Sequence, residues 1–367
     1  MSIVHTEAST GWGGQEIRIL TEAAGLRQRG HDVRVLASPG ARIAEEASRF
    51  GVPIDVLPIG RKRPDGLFAL RRALGGRAID IVNSHSSTDS WLAALSCRLL
   101  ALGGRRAPVL VRTRHVSVAV PNDAATRWLY RKATARVITT GESLRAQLVR
   151  DNGLDPNRID SVPTGVDGSR YGLIERAEAR AKLRLPQGVP LVGIVATLRS
   201  WKGHRFLIDS LPLVKRRDAR LVIVGDGPQR KALEEQVDAT GLRDRVLLAG
   251  QQSDVTEWLA ALDVFVLPSY ANEGVPQALV QAMFASIPVI TTDVGAIPEI
   301  ARDGDTATII ARENPTAIAT AIDALLGDPA RAKAQAQRAR AFVSTRYTLA
   351  AMLDRMEASF RKALLQA

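Results

Sequence analysis

Short apolar runs alternate with amphipathic stretches along the whole chain. In its first part, runs rich in Val, Ile and Leu predict strands at residues 2–6, 32–36, 54–57, 79–83, 109–113, 136–140 and 158–162. Stretches with helical periodicity lie between them, at 15–29, 41–50, 66–73, 90–102, 123–132 and 141–152. Such alternation is typical of doubly wound α/β domains, in which helices connect the strands of a parallel sheet.

A second set of the same kind begins at residue 190. It predicts strands at 190–196, 220–224, 246–249, 264–267, 289–291 and 306–310, and helices at 203–217, 229–240, 254–262, 276–285, 297–302 and 316–326. The charged stretch 171–186 predicts a linker with a short helix, and the tail 329–367 is helical with a break near 344–348. The pattern therefore predicts two Rossmann-like domains, at 1–170 and 171–348.

The composition is that of an ordinary globular enzyme, with 367 residues, 46% hydrophobic and 24% charged. The apolar runs, such as 189–198, are far shorter than the roughly 18 residues that span a bilayer, and the N-terminus enters a strand directly, so neither a membrane span nor a leader is expected. The lone Cys97 cannot form an internal disulfide. A cytoplasmic location is expected.

Positive charge is concentrated in the first domain. Of the net +12, residues 1–170 have 25 Lys and Arg against 16 Asp and Glu, and the remainder has 25 against 22. The densest cluster is 61–63 with Arg71, Arg72 and Arg77. Such a surface indicates an anionic membrane, an acidic acceptor or nucleic acid, or it serves solubility alone. Aromatic residues are only 4% of the chain, too few for base-stacking platforms, so we expect no nucleic-acid partner.

The most informative segment is 269–283. It follows the apolar strand 264–267 and places Glu273 and Gly274 in a loop before Pro276, a residue suited to the first position of a helix. The free N–H groups of Val275 and Gln277 at that helix start favour an anion. A carboxylate cannot bind phosphate, so Glu273 is expected to contact something else, such as sugar hydroxyls. A helix start that favours an anion, next to a carboxylate that favours sugar hydroxyls, predicts a sugar nucleotide as ligand.

This segment resembles the donor-binding segment of family 4 retaining glycosyltransferases, which have the two-domain GT-B fold. In that family a Glu is followed, after seven residues, by a second Glu. The first is Glu273 here, whereas the second position holds Gln281. The resemblance implies that Glu273 contacts the donor sugar and that Gln281, without a charge, hydrogen-bonds the ribose hydroxyls through its amide.

Three glycine-containing turns add to the resemblance. The loop after the first strand holds Gly13, Gly14 and Glu16, which match the family's Gly-Gly-x-Glu near the diphosphate and the acceptor. The turn with Gly227 resembles the family's Gly-x-Gly-Pro beside the nucleoside. The segment with Gly250 resembles the one that contacts the base.

Two cations on one short loop are suited to clamp a diphosphate. Arg199 and Lys202 occupy the turn before a predicted helix and resemble the family's Arg…Lys-Gly element. The family arginine usually lies five residues before the lysine, at the position of Thr197, so Arg199 is expected to take over its role. The turn around Thr164 matches a family turn at the domain junction and is predicted to be structural, as are Pro298 and Glu299.

The histidines are interpreted one by one. His115 ends a strand and matches the family histidine near the donor sugar and the acceptor, and His85 ends another strand on the expected acceptor side. His5 and His31 are predicted to be structural, and His204 to be a cap or surface residue. No Cys, His or carboxylate spacing predicts a metal site.

The resemblance implies a retaining, metal-independent transferase that needs no cofactor besides its donor, a UDP-sugar or GDP-sugar. The expected acceptor is a hydroxyl of a glycan or lipid-linked molecule in bacterial surface polysaccharide or lipopolysaccharide synthesis, at the inner face of the cytoplasmic membrane. The family places the ligand in the cleft between its domains and returns the last helix, here 349–365, to the first domain. The alternatives are a sugar-nucleotide epimerase of the same fold and a catalytically weak binding scaffold. A dinucleotide oxidoreductase is disfavoured because Gly-x-Gly-x-x-Gly is missing after the first strand.

Overall fold

A computed structural model describes residues 1–366, and the chain forms two compact units. The first contains residues 1–165 and the chain from Leu349 onward, and the second contains residues 166–348. The sequence places the boundary after Arg170, whereas the units divide at Gly165. Each unit is built on one parallel sheet, as the alternating pattern predicts.

The first unit has a seven-stranded sheet in the order β3-β2-β1-β4-β5-β6-β7. Its strands are β1 Ser2–Glu7, β2 Asp32–Ala37, β3 Ile54–Val56, β4 Ile81–Ser84, β5 Val109–Arg114, β6 Arg136–Thr139 and β7 Ile159–Ser161. Its connecting helices are α1 Gly14–Gln28, α2 Arg42–Glu46, α3 Pro64–Gly75, α4 Ser87–Leu102, α5 Ala124–Trp128 and α6 Glu142–Asn152. Successive strand residues point to opposite faces of the sheet, so Ile3 and Val4 enter two separate apolar cores.

The last helix, α14 Leu349–Leu365, completes the first unit, which confirms the expected return of this helix to the first domain. It packs on α1, and Met356 and Phe360 are fully buried there. The contact is close because a Cβ placed on Gly25 would lie 2.5 Å from Leu353 Cδ1. At the edge of the contact, Arg29 donates to Asp354 at 2.8 Å.

The second unit has a six-stranded sheet in the order β10-β9-β8-β11-β12-β13. Its strands are β8 Leu191–Val195, β9 Arg220–Val224, β10 Val246–Gly250, β11 Val264–Leu267, β12 Val289–Thr291 and β13 Thr308–Ile309. Its helices are α7 Arg176–Lys182, α8 His204–Ser210, α9 Arg230–Ala239, α10 Thr256–Ala260, α11 Gln277–Phe284, α12 Pro315–Gly327 and α13 Pro329–Arg346.

Proline accounts for the clearest differences from the predicted elements. The helix expected over 203–217 ends at Ser210 and continues only as a 3₁₀ turn, Leu211–Leu213, because Pro212 cannot donate a backbone hydrogen bond. The helix expected over 297–302 is a single 3₁₀ turn, Ile297–Glu299. Pro276 precedes α11 as its N-cap, in an extended conformation, and is not its first residue.

Candidate functional site

The loop that follows β8 is tied to the loop that follows β9 by backbone hydrogen bonds. Leu198 N–H donates to the Asp226 carbonyl at 3.0 Å, and Gln229 N–H donates to the Leu198 carbonyl at 3.0 Å. A Cβ on Gly227, whose φ is +158°, would lie 2.8 Å from the Leu198 oxygen. This glycine therefore serves the close packing of two protein loops, and its role in donor binding stays a prediction.

The same β8 loop also meets the loop that follows β11. Tyr270 N–H donates to the Trp201 carbonyl at 2.9 Å. Gly203 has a φ of +76°, and a Cβ there would lie only 2.1 Å from the Pro268 oxygen. Only glycine fits this left-handed, crowded position without distortion. The backbone thus holds the end of one loop against the start of the other.

This backbone contact brings Lys202 and Glu273 together. Lys202 Nζ donates to Glu273 Oε1 at 2.7 Å, and Ser269 Oγ donates to the same oxygen at 2.6 Å. Glu273 is 4% exposed, whereas the Lys202 side chain is 19% exposed. The sequence assigned the two residues to different parts of a ligand, and the structure shows that they form one charged pair.

The backbone of Glu273 is held from a third side. Gly295, with a φ of +59°, packs so closely that a Cβ there would lie 2.1 Å from the Glu273 carbonyl oxygen, which also accepts from Ala296 N–H at 3.4 Å. Asn272 adopts a φ of +60°, a left-handed conformation that Asn tolerates better than most residues. The carboxylate is therefore fixed by its loop and by the loop after β12.

The segment between Glu273 and the helix that follows it is buried. Gly274 and Val275 are buried, and α11 starts at Gln277. Gln277 Oε1 is buried and has no hydrogen-bond partner within residues 1–366. A buried amide oxygen without a partner costs free energy, so this atom is a candidate to accept a hydrogen bond from a ligand.

Gln281 lies one turn further along α11, and its side chain is close enough to the hydroxyl of Tyr171 to lower the pKa of that phenol slightly. Burial raises the pKa of Tyr171 to about 12, so the phenol stays neutral. Sequence reasoning placed Tyr171 at the start of a linker and missed this contact. In the sequence, the indication for this contact is limited to an isolated aromatic residue before a charged stretch.

The remaining candidates of the second unit lie around these loops. Arg199 is exposed, and its guanidinium lies 5.7 Å from the centre of the Trp201 ring. Gly250, with a φ of +72°, accepts from Gly225 N–H at 2.8 Å through its carbonyl and approaches Arg230 at the start of α9. His204 is 2% exposed, so the expectation of a cap or surface residue is wrong. Burial lowers the pKa of His204 to about 3.

In the first unit, three carboxyl groups gather where β1 and β4 end. Glu7 accepts from Ser9 N–H at 2.7 Å and from the Gln15 amide, and Glu16 on α1 is 5% exposed. Asp89 accepts from Thr6 Oγ1 at 2.7 Å and caps α4 together with Ser86. Burial and the neighbouring Asp89 and Glu16 raise the pKa of Glu7 well above its usual value.

Gly13 and Gly14 begin α1 beside these acids. Gly13 is the N-cap in an extended conformation, and Gly14 is exposed. A helix start favours an anion, whereas the nearby carboxyl groups oppose one. The structure thus gives the expected phosphate contact of this turn no specific support.

Three histidines, one within β1 and one directly after each of β4 and β5, form a hydrogen-bonded chain. His5 Nδ1 lies 2.9 Å from His85 Nε2, and His85 Nδ1 lies 2.9 Å from His115 Nε2. Burial is the main cause that lowers the pKa of each ring, to about 3 for His5. The structure therefore places the predicted His85 and His115 side by side and adds His5, which sequence reasoning took as structural only.

Two family models match this chain and together cover most of it. The model described as "Glycosyltransferase Family 4" matches residues 12–170, and the model described as "Glycosyl transferases group 1" matches residues 175–342. A D-inositol 3-phosphate glycosyltransferase of Nocardia farcinica (strain IFM 10152) is 29% identical over 375 residues, which cover 89% of this chain and 80% of that protein.

Another relative and a solved structure agree with this assignment. The lipopolysaccharide core biosynthesis mannosyltransferase LpsB of Rhizobium meliloti (strain 1021) is 30% identical over 233 residues, 61% of this chain and 64% of that protein. The crystal structure of Anabaena Alr3699/HepE in complex with UDP and glucose superimposes with a TM-score of 0.86 at 19% identity, over 98% of this chain and 99% of that chain. The protein belongs to family 4 of the glycosyltransferases and has the GT-B fold.

Proposed function

We propose that the protein is a retaining glycosyltransferase that moves a sugar from a nucleoside diphosphate sugar, a UDP-sugar or GDP-sugar, to a hydroxyl of a glycan or lipid-linked acceptor. The observation that carries the proposal is the 2.7 Å contact between Lys202 and Glu273. It brings a cation suited to phosphate and a carboxylate suited to sugar hydroxyls to one point beside the start of α11. The names of the relatives, which describe glycosyl transfer, support it.

Donor binding exchanges one partner of Lys202 for another. In the ligand-free state the ammonium is neutralised by Glu273. An incoming diphosphate competes for that ammonium and releases Glu273 Oε1 to accept from a sugar hydroxyl. Because two negative groups then share one cation, Arg199 and the N–H groups at the start of α11 supply the additional positive potential.

Bond breaking increases the negative charge on the leaving diphosphate. Preorganised donors at that position stabilise the transition state more than the ground state, and a single such donor contributes about 3 kcal/mol in comparable sites. In this proposal the acceptor hydroxyl attacks the face of the sugar from which the diphosphate leaves, so the anomeric configuration is retained. Side chains and helix N–H groups provide the charge, and no metal ion takes part.

The first test is thermal unfolding with UDP, GDP, ADP and dTDP. A diphosphate present at 100 times its Kd stabilises the protein by about 2.7 kcal/mol. We expect one of them to raise Tm, and Lys202→Ala to abolish the shift. Lys182→Ala is the matched control, because that lysine belongs to an exposed ion pair with Glu257. A shift that survives in Lys202→Ala would contradict the assigned site.

The second test follows the sugar itself. Incubation of the matching nucleotide sugar with acceptor and EDTA should give a product whose anomeric coupling in ¹H NMR equals that of the donor. Inversion at the anomeric carbon, or loss of turnover in EDTA, would contradict the proposal. Donor that isomerises without acceptor indicates the epimerase. Nucleotide binding without turnover indicates the scaffold, in agreement with Gln281 and Thr197 at the two altered family positions.

The acceptor is proposed from the basic surface of the first unit. Phe68 on α3 and Leu102 on α4 are 61% and 71% exposed, and Lys62 lies over the Trp91 ring at 5.4 Å. Exposed apolar side chains among cations suit an anionic lipid surface. We therefore place the reaction in bacterial surface polysaccharide or lipopolysaccharide synthesis at the inner face of the cytoplasmic membrane. Within residues 1–366, no helix has the length and apolar character to cross a bilayer.

Binding to vesicles that contain anionic lipid tests this surface. Replacing residues 61–63 with Ser should weaken binding at low salt, since each basic residue near such a surface contributes about 1 kcal/mol. The matched control replaces Lys215, Arg216 and Arg217, a basic run of equal length in the second unit. Equal binding of both variants would overturn the membrane assignment.

A further inference from the structure

The first unit contains a cavity of about 260 Å³ at the amino ends of β6 and β7. All of its lining residues belong to the first unit. Ligands of parallel α/β sheets bind at the carboxyl ends of the strands, where the histidines and acids of this unit lie. The cavity is therefore at the opposite edge of the same sheet, and the proposed function leaves it unused.

Apolar side chains form part of the cavity wall. They are Tyr130, Val137, Leu154 and Ile159, which are at most 7% exposed and belong to one apolar core. Arg114 donates to the Tyr130 hydroxyl at 2.8 Å, which holds the ring in place. Pockets for drug-sized ligands begin at about 300 Å³. This cavity therefore suits a smaller molecule with an apolar part.

Two arginines of the lining have N–H groups without a partner. Arg131 donates twice from Nη2, to the Asn152 carbonyl at 2.8 Å and to the Gly153 carbonyl at 3.1 Å. Arg158 donates once each from Nε, Nη1 and Nη2 to backbone carbonyls of the stretch 131–135. Because a guanidinium has five N–H groups, three on Arg131 and two on Arg158 have no partner within residues 1–366.

The lining has more positive than negative charge. Its third arginine, Arg136, is paired with Asp160. Asp155 is the acidic residue of the lining. Arg131 and Arg158 are held by neutral carbonyls, which position the two guanidinium groups without neutralising them. Two arginines therefore stand against one carboxylate, and this balance favours an anion.

A buried hydroxyl of the lining also lacks a partner. Thr134 is 1% exposed, and its Oγ1 forms no hydrogen bond within residues 1–366, which costs free energy. Thr134 directly follows Leu129–Ala133, a single turn of π-helix closed by the bond from Thr134 N–H to the Leu129 carbonyl at 3.0 Å. Such turns are rare and frequently lie at functional sites. The hydroxyl and the π-turn are two further indications of a ligand.

We infer that this cavity binds a small organic anion, a phosphate or carboxylate group on an apolar body. The anionic group accepts from the free N–H groups of Arg131 and Arg158, since a guanidinium fork matches two acceptor oxygens. The Thr134 hydroxyl donates to the same group, and the apolar body packs beside Tyr130. The site goes beyond glycosyl transfer, and its occupancy does not depend on the proposed function.

Phenyl phosphate is the probe, because it combines a phosphate group with an apolar ring. Backbone ¹H–¹⁵N spectra of the full chain locate its binding, and we expect the amides of Thr134, Gly153 and Leu154 to shift. Benzoate shows whether a carboxylate replaces the phosphate. Phenol and inorganic phosphate each lack one half of the ligand and should bind at least about 10-fold more weakly. Unmoved amides at millimolar phenyl phosphate, or equal binding of phenol or inorganic phosphate, overturn the proposal.

Two isosteric changes distinguish a ligand-binding hydroxyl from a structural one. Thr134→Val removes a hydroxyl without a partner, so it should raise Tm by about 2 °C and weaken phenyl phosphate binding about 5-fold. Thr139→Val is the matched control, because the buried Thr139 hydroxyl donates to the Gly141 carbonyl at 2.9 Å. The control should lower Tm and leave binding unchanged. A Thr134→Val protein with lowered Tm and unchanged affinity would contradict the site.

The arginines are tested by removing one charge. Arg131→Gln should weaken phenyl phosphate binding about 10-fold or more. Arg150→Gln is the matched control, because Arg150 forms an exposed pair with Asp151 on the neighbouring helix α6. Equal affinities of the two variants would overturn the assigned anion contact. Since every measurement is of binding or stability, a protein that transfers no sugar would refute the proposed function and leave this test unaffected.

Discussion

The two sheets of this protein carry functional side chains at their carboxyl ends in opposite ways. In the first unit these side chains lie on the strands or directly after them, are buried except for the partly exposed His115, and touch one another as rings and acids. In the second unit Lys202 and Glu273 lie on loops and form a pair of opposite charges. Burial on a strand favours the neutral form of a group, whereas a loop can turn a charge toward solvent and ligand. The carboxyl edge of the first sheet is therefore suited to neutral, protonated groups, and that of the second sheet is suited to charged groups.

The structural features that hold the two sites in place differ as well. The parallel register places His5 beside Asn83 and so sets the spacing of the histidine chain. In the second unit the loops are held by glycines whose missing side chains let backbones touch, at Gly203 and Gly295. The first site therefore depends on the sheet, and the second on a few positions where only glycine fits.

The largest loss of stability should come from adding a side chain at one of these glycine positions. Gly203→Ala places a Cβ 2.1 Å from a backbone oxygen and should destabilise the second unit by more than about 3 kcal/mol. Gly304→Ala is the matched control, because its φ of +70° is similar and nothing lies within 4 Å of the added Cβ. It should cost only about 1 kcal/mol of backbone strain. Urea unfolding compares them, and equal losses would show that the loop contact is not tight.

The pH dependence of stability tests the buried groups of the first unit. The pKa of Glu22 is raised to about 7, so its contribution to stability is complete below its unfolded pKa and is lost as pH rises through 7. Relative to Glu22→Gln, the wild type should gain about 3 kcal/mol as the pH falls from 8 to 4.5. Urea unfolding at each pH measures the difference.

The histidines act in the opposite direction. The pKa of His5 is lowered to about 3, so its contribution is present above 6.5 and is lost as pH falls toward 3. Both proteins contain these histidines, so both should lose stability on acidification below about 6.5, and the difference between them reports Glu22. A pH-independent difference between the two proteins would mean that Glu22 keeps an ordinary pKa.

Breaking the charged pair of the second unit should have an intermediate effect. Glu273→Gln leaves Lys202 without a carboxylate in a largely buried place and should cost about 2 kcal/mol. Glu313→Gln removes half of an exposed pair with Arg205 and should cost less than about 1 kcal/mol. Thermal unfolding separates the two. Transfer activity should fall about 100-fold or more in Glu273→Gln alone, and an active Glu273→Gln enzyme would contradict its role on the sugar.

The smallest effect is expected at Tyr171. Tyr171→Phe removes the hydroxyl next to the Gln281 side chain and should cost about 1 kcal/mol of stability and weaken nucleotide binding several-fold. Tyr347→Phe removes a hydroxyl that donates to the Glu299 carbonyl at 3.2 Å and should lower stability without changing nucleotide affinity. Calorimetric titration with the matching diphosphate distinguishes them. Equal affinities would show that Tyr171 does not position Gln281.

Sequence patterns predicted the sheets, most helices and the loops that carry Lys202 and Glu273, because strand and helix periodicities are local. They predicted helices that are too long where a proline interrupts the helical pattern, as at Pro212 and Pro298. They also failed for His204 and Tyr171, whose burial depends on residues distant in the chain. His5 offered no more than an apolar strand position, so its hydrogen bond to His85 could not be foreseen.

By itself the sequence determined the fold class, the family and the residue types available at each strand end, since these follow from local periodicity and short motifs. Only the tertiary structure decided which of those residues meet. Lys202 and Glu273 are 71 residues apart, and His5 and His85 are 80 apart. Their contacts depend on strand order, register and the close passage of loops at glycine, and desolvation in the assembled core is what then shifts the pKa values of Glu22 and the histidines.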